Sequence, residues 1–238
     1  MALMEPRIVY LDERIAIVSK PSGIFVHPSE ESRKKERTIL SWLRNRLDQR
    51  VYPVHRIDRA CSGLISLARD PDSARELQAA LQSPRARKEY LAFSRGELEH
   101  EFVCDLPLKV GPRKVSRNAT TRFQRLLVHE GFSLVKARIE TGRRHQIRRH
   151  LALLGHQIVG DSTYGKGRIN RWLRQEHGLP RLFLHSWRLS LPFGDESQPI
   201  EVVDPLPADL LIFLRSFTSD WTLWPGGNPA AMPIGEER

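Results

Sequence analysis

The sequence has few cysteines and no long apolar run. Its 238 residues include only Cys61 and Cys104, too few and too far apart for a disulfide framework. No stretch approaches the roughly 18 consecutive apolar residues of a membrane span. The first ten residues are interrupted by Glu5, Pro6 and Arg7, so they lack the apolar core of a signal peptide. These absences predict a cytoplasmic protein that does not associate with a membrane.

Residues spaced as metal ligands are also missing. His145 and His150 are five positions apart and no Glu follows the first histidine, so the helical metalloprotease pattern fails. We expect no metal site.

Positive charge is in excess. Lys and Arg number 38 against 28 Asp and Glu, which gives a formal charge of +10 and a sequence pI of about 10.1. This balance favours a polyanionic partner, although a basic ribosomal or membrane-surface protein would share it. The length suits one large domain or two small ones.

The pattern of apolar and turn-forming residues predicts an α+β fold. Predicted strands cover residues 7–10, 15–19, 64–68, 87–95 and 182–191, with a hairpin of 121–128 and 132–140. Predicted helices follow Thr38 and Asp70-Pro71 and cover residues 145–154 and 208–217. Because strands often follow one another directly, we expect a mixed, largely antiparallel β-sheet flanked by helices. Residues 1–225 would form the domain, residues 30–37 an exposed charged loop and residues 226–238 a flexible tail.

The most informative segment is the turn of residues 54–64, which places one carboxylate among basic residues just before an apolar run. Asp58 lies between Arg56 and Arg59, and nearby positive charge favours the ionised form of a carboxyl group. An ionised aspartate at the start of a strand can act as a nucleophile or a base. The alternative is a loop aspartate that makes a surface ion pair.

A second segment, residues 141–151, joins a glycine turn to a basic helix. Ile147, Leu151 and Leu154 share one helical face and can pack on the sheet. Arg144 and Arg148 fall on another side, with His145 and Arg149 alongside. Such a face can bind phosphate or pair with a carboxylate, or it can simply be solvated.

Two further segments add to the pattern. Tyr90 follows Lys88 on a predicted strand, where its ring can face a base or pack in the core. Residues 20–28 begin with the turn Lys20-Pro21-Ser22-Gly23, which suggests a rigid backbone.

Together these segments resemble the RluA-type RNA pseudouridine synthases, and within them the TruC-like branch. The resemblance extends from about Lys20 to Phe193. Its elements are His55-Arg56-Ile57-Asp58 with Cys61-Ser62-Gly63, Thr141 to Arg143, His145 to Arg148, His150-Leu151, Gly155-His156, Gly160-Asp161 and Leu184-His185. Two positions depart from the family pattern: Ile57 replaces Leu, and Cys61 replaces Thr and loses a hydroxyl group.

The resemblance implies an isomerase that converts uridine in folded RNA to pseudouridine without a cofactor or metal. Asp58 would be the catalytic aspartate, attacking the anomeric carbon or removing a neighbouring sugar proton. Arg148 would pair with Asp58, and Tyr90 would stack on the target base. Arg56 would fill the space left by the flipped nucleotide. RNA contacts are expected at His55, Arg56, Arg143, Arg144, His145 and Arg149.

The RNA target is predicted less directly. Residues 148–151, 160–162 and the insert Arg168-Ile169-Asn170-Arg171 look most like the subgroup that acts on tRNA, and 23S rRNA is the alternative. We expect a monomer. A non-catalytic RNA-binding protein on the same scaffold would have the same charge and aromatics. A glycoside hydrolase is disfavoured because a second carboxylate is missing beside Asp58.

Overall fold

The computed structural model describes residues 5–28, 37–194 and 198–218. Its contacts divide the chain into two compact units. The first unit comprises residues 1–90 and 185–204, and the second comprises residues 91–184 and 205–238. Most of the predicted charged loop, the predicted domain end at residue 225 and the predicted tail lie outside the described residues.

The described residues form twelve strands and five helices. The strands are β1 (Arg7–Leu11), β2 (Ile15–Lys20), β3 (Tyr52–Pro53), β4 (Ser62–Ala68), β5 (Arg87–Arg95), β6 (Glu101–Cys104), β7 (Leu108–Val110), β8 (Val115–Arg117), β9 (Thr121–His129), β10 (Phe132–Ile139), β11 (Leu184–Leu191) and β12 (Ile200–Val203). The helices are α1 (Ile39–Leu47), α2 (Pro71–Gln82), α3 (Gln146–Leu153), α4 (Gly167–His177) and α5 (Ala208–Phe217). In the part of the chain that the structure describes, no helix combines the length and apolarity needed to cross a membrane.

The first unit is built around the all-buried strand β4. Strands β2 and β3 pair with β4 in antiparallel fashion, β1 pairs antiparallel with β2, and β12 with β11. Strand β11 runs parallel to β4. Leu77 and Leu81 of α2 pack against Ile15, Leu64 and other apolar residues of these strands. This mixture confirms the predicted α+β class with a largely antiparallel sheet.

Both helices of the first unit begin where the sequence predicts. The Thr38 hydroxyl accepts a hydrogen bond from the backbone N–H of Ser41, and Ser41 Oγ accepts one from the Thr38 N–H. The Asp70 carboxylate accepts from the Ser73 N–H, and Pro71 opens α2. Such caps contribute roughly 1 kcal/mol each to helix stability, so the local sequence is enough to define these boundaries.

The second unit contains the predicted hairpin. Strands β9 and β10 pair antiparallel from Phe132↔His129 to Ile139↔Thr121, and Glu130 and Gly131 both adopt positive φ at the turn. Strand β6 extends this pairing on the β9 side, and β7 and β8 form a separate hairpin. A cluster of aromatic rings fills the core: Phe93, Phe132, Phe183, Phe213 and Phe217.

Several features of the second unit differ from the predictions. Strands β6, β7 and β8 were not predicted. Helix α4 was not predicted, because only Ile169, Trp172 and Leu173 among its eleven residues are apolar and no capping side chain marks its start. Leu154 follows α3 and is 39% exposed, so of the three predicted apolar residues only Ile147 and Leu151 are buried. The pattern therefore identified the helix α3 but extended its apolar face too far.

Candidate active site

Asp58 lies in the loop that enters β4 in the first unit. Its side chain is half-buried, between buried Ile57 and exposed Arg59. The Asp58 carbonyl oxygen accepts a hydrogen bond of 3.0 Å from the Cys61 N–H, which closes a tight turn. The turn leads directly into β4, so a strand that is buried along its whole length positions the carboxylate.

A buried lysine, Lys20, supports this loop through hydrogen bonds. Lys20 is 0% exposed, and its Nζ donates hydrogen bonds to the carbonyl oxygens of Pro21 (2.9 Å), Ile24 (2.9 Å) and Arg59 (3.1 Å). An ammonium group has three N–H donors, so one side chain joins the predicted turn to the residue next to Asp58.

The same turn makes further contacts to the loop. The Gly23 N–H donates to the Arg59 carbonyl oxygen at 2.8 Å, and the Arg59 Nε donates to the Gly23 carbonyl oxygen at 2.8 Å. Ser22 Oγ donates to the Ala60 carbonyl oxygen, also at 2.8 Å. The Arg59 guanidinium lies 4.8 Å from the ring centre of Phe25. Residues 20–25 are therefore a support for the aspartate loop as well as a turn.

Tyr90 is buried in the first unit and shares the electrostatic environment of Asp58. Burial, the nearby Cys61 thiol and the Asp58 carboxylate raise the pKa of the Tyr90 phenol, and together they outweigh a hydrogen bond with Ser186 that lowers it. The phenol therefore stays protonated at neutral pH. Asp58 and Tyr90 both belong to the first unit, and the Asp58 charge contributes to the raised pKa of Tyr90.

His55 contacts the backbone of β4. Its Nε2 accepts a hydrogen bond of 2.9 Å from the Ser66 N–H, which requires that nitrogen to be unprotonated. Burial, with a smaller contribution from Lys88, lowers the pKa of His55 to about 4. His55 is therefore neutral at physiological pH and supports the loop. Its predicted contact with RNA, like that of exposed Arg56, stays a prediction.

The end of the loop is held by the Leu184-His185 motif. Ser62 Oγ lies 3.0 Å from His185 Nδ1, and His185 Nε2 lies 2.9 Å from the Asp204 carbonyl oxygen. A carbonyl oxygen only accepts, so Nε2 carries the proton and Nδ1 accepts from the serine hydroxyl. Gly63 adopts a φ of 108°, and a Cβ there would lie 2.2 Å from the Ser186 carbonyl oxygen. The close approach of β11 to β4 therefore requires glycine.

Arg148 lies on α3 in the second unit and is only 5% exposed. Its Nε donates to Asp161 Oδ2 at 2.7 Å, and its Nη2 donates to Asp161 Oδ1 at 2.9 Å and to Thr163 Oγ1 at 3.1 Å. The guanidinium carbon lies 5.2 Å from the ring centre of Tyr164. The alternative of a fully solvated basic face is therefore wrong for Arg148. Its predicted pairing with Asp58 stays a prediction.

Asp161 is a buried carboxylate held in its charged form. Burial by itself would raise its pKa, but hydrogen bonds from Arg148 and from the backbone N–H groups of Tyr164 and Thr163 outweigh this effect and lower the pKa. Gly160-Asp161 belongs to the motifs of the family resemblance, but no role was predicted for Asp161. The sequence spacing of Arg148 and Asp161 could not predict this ion pair, because a turn and not a helix or strand brings the two residues together.

The start of α3 is shaped by Gln146. Its Oε1 accepts from the Thr141 hydroxyl at 2.7 Å and from the Arg143 N–H at 3.1 Å, and its Nε2 donates to Thr121 Oγ1 at 3.0 Å. His145 adopts a positive φ of 56°, and its Nδ1 lies 3.1 Å from the Tyr164 hydroxyl.

The other predicted RNA contacts differ in exposure. Arg143 and Arg144 are exposed and precede α3, while Arg149 is half-buried on it. The predicted basic face is therefore split between the turn and the helix.

Comparison with known proteins identifies the group to which this arrangement is similar. A family model described as "RNA pseudouridylate synthase" matches residues 14–153, more than half of the chain. The tRNA pseudouridine synthase C of Vibrio parahaemolyticus is 34% identical over 219 residues, which cover 82% of this chain and 89% of that protein. The protein of the same name from Pasteurella multocida is 33% identical and covers 92% of this chain and 98% of its own length.

Solved structures show the same fold. Human RNA pseudouridylate synthase domain containing 4 superposes with a TM-score of 0.73 at 24% identity and covers 88% of this chain and 92% of its own. The corresponding human domain containing 1 has a TM-score of 0.68 at 25% identity and covers 88% of each chain.

Proposed function

Because the chain belongs to the RNA pseudouridylate synthase family, whose members isomerise uridine in RNA, we propose that its substrate is tRNA and that Asp58 is its catalytic residue. The tRNA assignment rests on the names of the relatives that match most of this chain. A uridine in 23S rRNA is the second candidate target, from the same resemblance of motifs.

One observation supports the catalytic role most directly. A half-buried carboxylate, Asp58, is supported from the Lys20 turn and acts electrostatically on a buried, protonated phenol, Tyr90. A protein that only bound RNA would gain nothing from a carboxylate near the phosphates, since like charges repel. A reacting carboxylate, in contrast, needs a rigid backbone and an accessible side chain.

The chemistry needs no external oxidant or reductant. The bond from the sugar anomeric carbon to uracil N1 breaks, the base turns, and uracil C5 forms the new bond to the same carbon. The hydrogen on C5 is then lost to water and N1 takes up a proton, so the product is an isomer of the substrate. Asp58 either attacks the anomeric carbon, in a bond that breaks again when C5 attacks, or removes the neighbouring sugar proton and later returns it, and Tyr90 stacks on the turning base.

The remaining predicted residues act on the RNA itself. A stacked nucleotide is inaccessible to an enclosed site, so the target must flip out of the helix. Arg56 would fill the vacated stack, and Arg148, which donates hydrogen bonds to Asp161, would pair with Asp58. The other predicted RNA contacts would bind the RNA next to the flipped nucleotide. They are His55, Arg143, Arg144, His145 and Arg149, and the arginines would bind its phosphates.

The test is a comparison of Asp58→Asn with Asp48→Asn. Asp48 is an exposed aspartate that ends α1 with a φ of 49°, a conformation that asparagine tolerates, so both changes remove one carboxylate. With tRNA labelled with tritium at uracil C5, we expect Asp58→Asn to release tritium about a thousand-fold more slowly and Asp48→Asn to match the wild type. A filter-binding assay should show tRNA affinity within about two-fold for both, since neither change removes a cation.

Retained tritium release by Asp58→Asn would contradict the catalytic role. The target is identified by chemical mapping of pseudouridine in total RNA from cells with and without this chain. A site that disappears from rRNA, with tRNA unchanged, would contradict the tRNA assignment. No lost site in any RNA would leave a non-catalytic RNA-binding protein as the better description.

A further inference from the structure

Helix α4 carries positive charge on one exposed side. Arg168, Arg171 and Arg174 are all exposed, whereas Asn170 and Leu173 are buried. An α-helix turns by about 100° per residue, so successive members of this arginine series lie about 60° apart around the axis. We call Arg168, Arg171 and Arg174 the α4 basic face.

In the part of the chain that the structure describes, these guanidinium groups form no ion pair that would stabilise the fold. Among residues 5–28, 37–194 and 198–218, the ion pairs of arginine include Arg148–Asp161 and Arg181–Asp209, and none includes a member of the α4 basic face. Glu176 is the one acidic residue of α4. Three like charges on an exposed face repel one another unless a partner of opposite charge neutralises them.

Trp172 adds an aromatic surface next to these charges. It lies about 40° from Arg168 around the helix axis, on the side away from Arg171. Its ring stacks at 6.3 Å on Phe132 and meets the edge of His177 at 5.0 Å, yet the residue is 40% exposed. A tryptophan supported from within and exposed beside arginines is typical of surfaces on which bases stack. An ordinary solvated helix face has no need for such a ring.

Helix α4 is firmly attached to the turn that holds Arg148. Asn170 Nδ2 donates to the Asp161 carbonyl oxygen at 3.0 Å, and Asn170 Oδ1 accepts from the Gly160 N–H at 2.9 Å. A Cβ at Gly165 would lie 2.2 Å from the Asp161 carbonyl oxygen. The α4 basic face therefore has a fixed position relative to Arg148, within one unit.

We propose that the α4 basic face is a phosphate-binding surface for the tRNA substrate, which docks the body of the folded RNA while one nucleotide is processed elsewhere. This inference rests on the proposed function. Its occupant is identified by charge: a polyanion of regularly spaced phosphates neutralises a row of arginines better than a small anion.

The test compares two double variants that remove the same charge. Arg168→Gln/Arg171→Gln changes the α4 basic face, and Arg44→Gln/Arg46→Gln changes two exposed arginines at the end of α1. Glutamine keeps a high helix propensity, so both variants should fold. Affinity is measured for unfractionated tRNA from cells that lack this chain, at several KCl concentrations.

We expect the α4 variant to raise the Kd about ten-fold near 0.15 M salt and to reduce the salt slope of log Kd by about 2. The α1 variant should stay within about two-fold of the wild type. In tritium release, the α4 variant should raise KM and leave kcat unchanged, because the lost contacts are equal in the ground and transition states.

Equal affinity of the wild-type and α4 variants, or equal weakening by the α1 and α4 variants, would overturn the proposal. So would a lower kcat with an unchanged KM. If the wild type binds tRNA but releases no tritium, the proposed function fails, while the comparison of Kd values still decides whether α4 binds RNA.

Discussion

The Asp58 loop and the Arg148–Asp161 pair hold charged groups in different ways. The loop is supported by Lys20, whose Nζ donates hydrogen bonds to backbone carbonyl oxygens, and by a neutral His55, and the Asp58 side chain remains half-buried. Arg148, in contrast, is locked by two charge-assisted hydrogen bonds to a buried carboxylate. A reacting carboxylate has to change its bonding partners, whereas a positioning group is more useful when it cannot move. The two arrangements match these two requirements.

The largest expected effect on stability comes from breaking the buried pair. Asp161→Asn removes the buried carboxylate charge that accepts two hydrogen bonds from Arg148, and such a loss costs about 3–5 kcal/mol of the free energy of unfolding. The control is Asp209→Asn, which breaks the more exposed pair with Arg181 and should cost about 1 kcal/mol. Urea denaturation followed by circular dichroism measures both. Equal losses would show that burial does not distinguish the Arg148–Asp161 pair.

An intermediate effect is expected at Lys20. Lys20→Met keeps most of the side-chain volume but leaves three carbonyl oxygens without this donor, at a cost of about 2–3 kcal/mol. Tritium release should also fall, because the support next to Asp58 is lost. Lys88→Met is the control, since Lys88 Nζ donates to the Leu81 carbonyl oxygen from a half-buried position. A Lys20 variant as stable and active as the Lys88 variant would contradict the bracing role.

A dependence of stability on pH also separates the two arrangements. His55 has a pKa lowered to about 4, so between pH 6.5 and 4 the unfolded chain binds a proton that the folded chain does not. Stability therefore falls as the pH decreases through this window, by at most about 3 kcal/mol. The pKa of Asp161 is lowered instead, so its contribution is present above the ordinary aspartate pKa and is lost only at lower pH.

Urea midpoints from pH 7 to 4 test this difference. His55→Gln should flatten the decrease between pH 6.5 and 4, and the exposed His100→Gln should leave it unchanged. A wild-type decrease that persists in His55→Gln would mean that another group titrates in this window.

Much of the fold could be predicted because its signals are local. Thr38 and Asp70 mark helix starts through their own capping bonds, and Glu130-Gly131 marks a hairpin through its backbone preferences. Helix α4 was not predicted because its stability comes from packing and from Asn170, whose side chain forms hydrogen bonds with a turn outside the helix. Such a contact leaves no periodic pattern in the sequence.

The sequence predicted the candidate catalytic residues but not the residues that hold them in place. The turn of residues 54–64 identified Asp58, and the resemblance added Tyr90 and Arg148. The roles of Lys20 and Asp161 depend on bonds across 39 and 13 positions of the chain. Solvated charges and buried paired charges look the same in a sequence, so the burial of Arg148 could be learned only from the structure.

Gly63 also limits how this enzyme could be redesigned. Any side chain at that position would collide with the Ser186 carbonyl oxygen and separate two parallel strands. The loop before Gly63 can therefore be replaced by the loop of a relative only if the residue at position 63 remains glycine. Libraries that randomise residues 54–62 and keep Gly63 should contain far more folded variants than libraries that randomise residues 55–63.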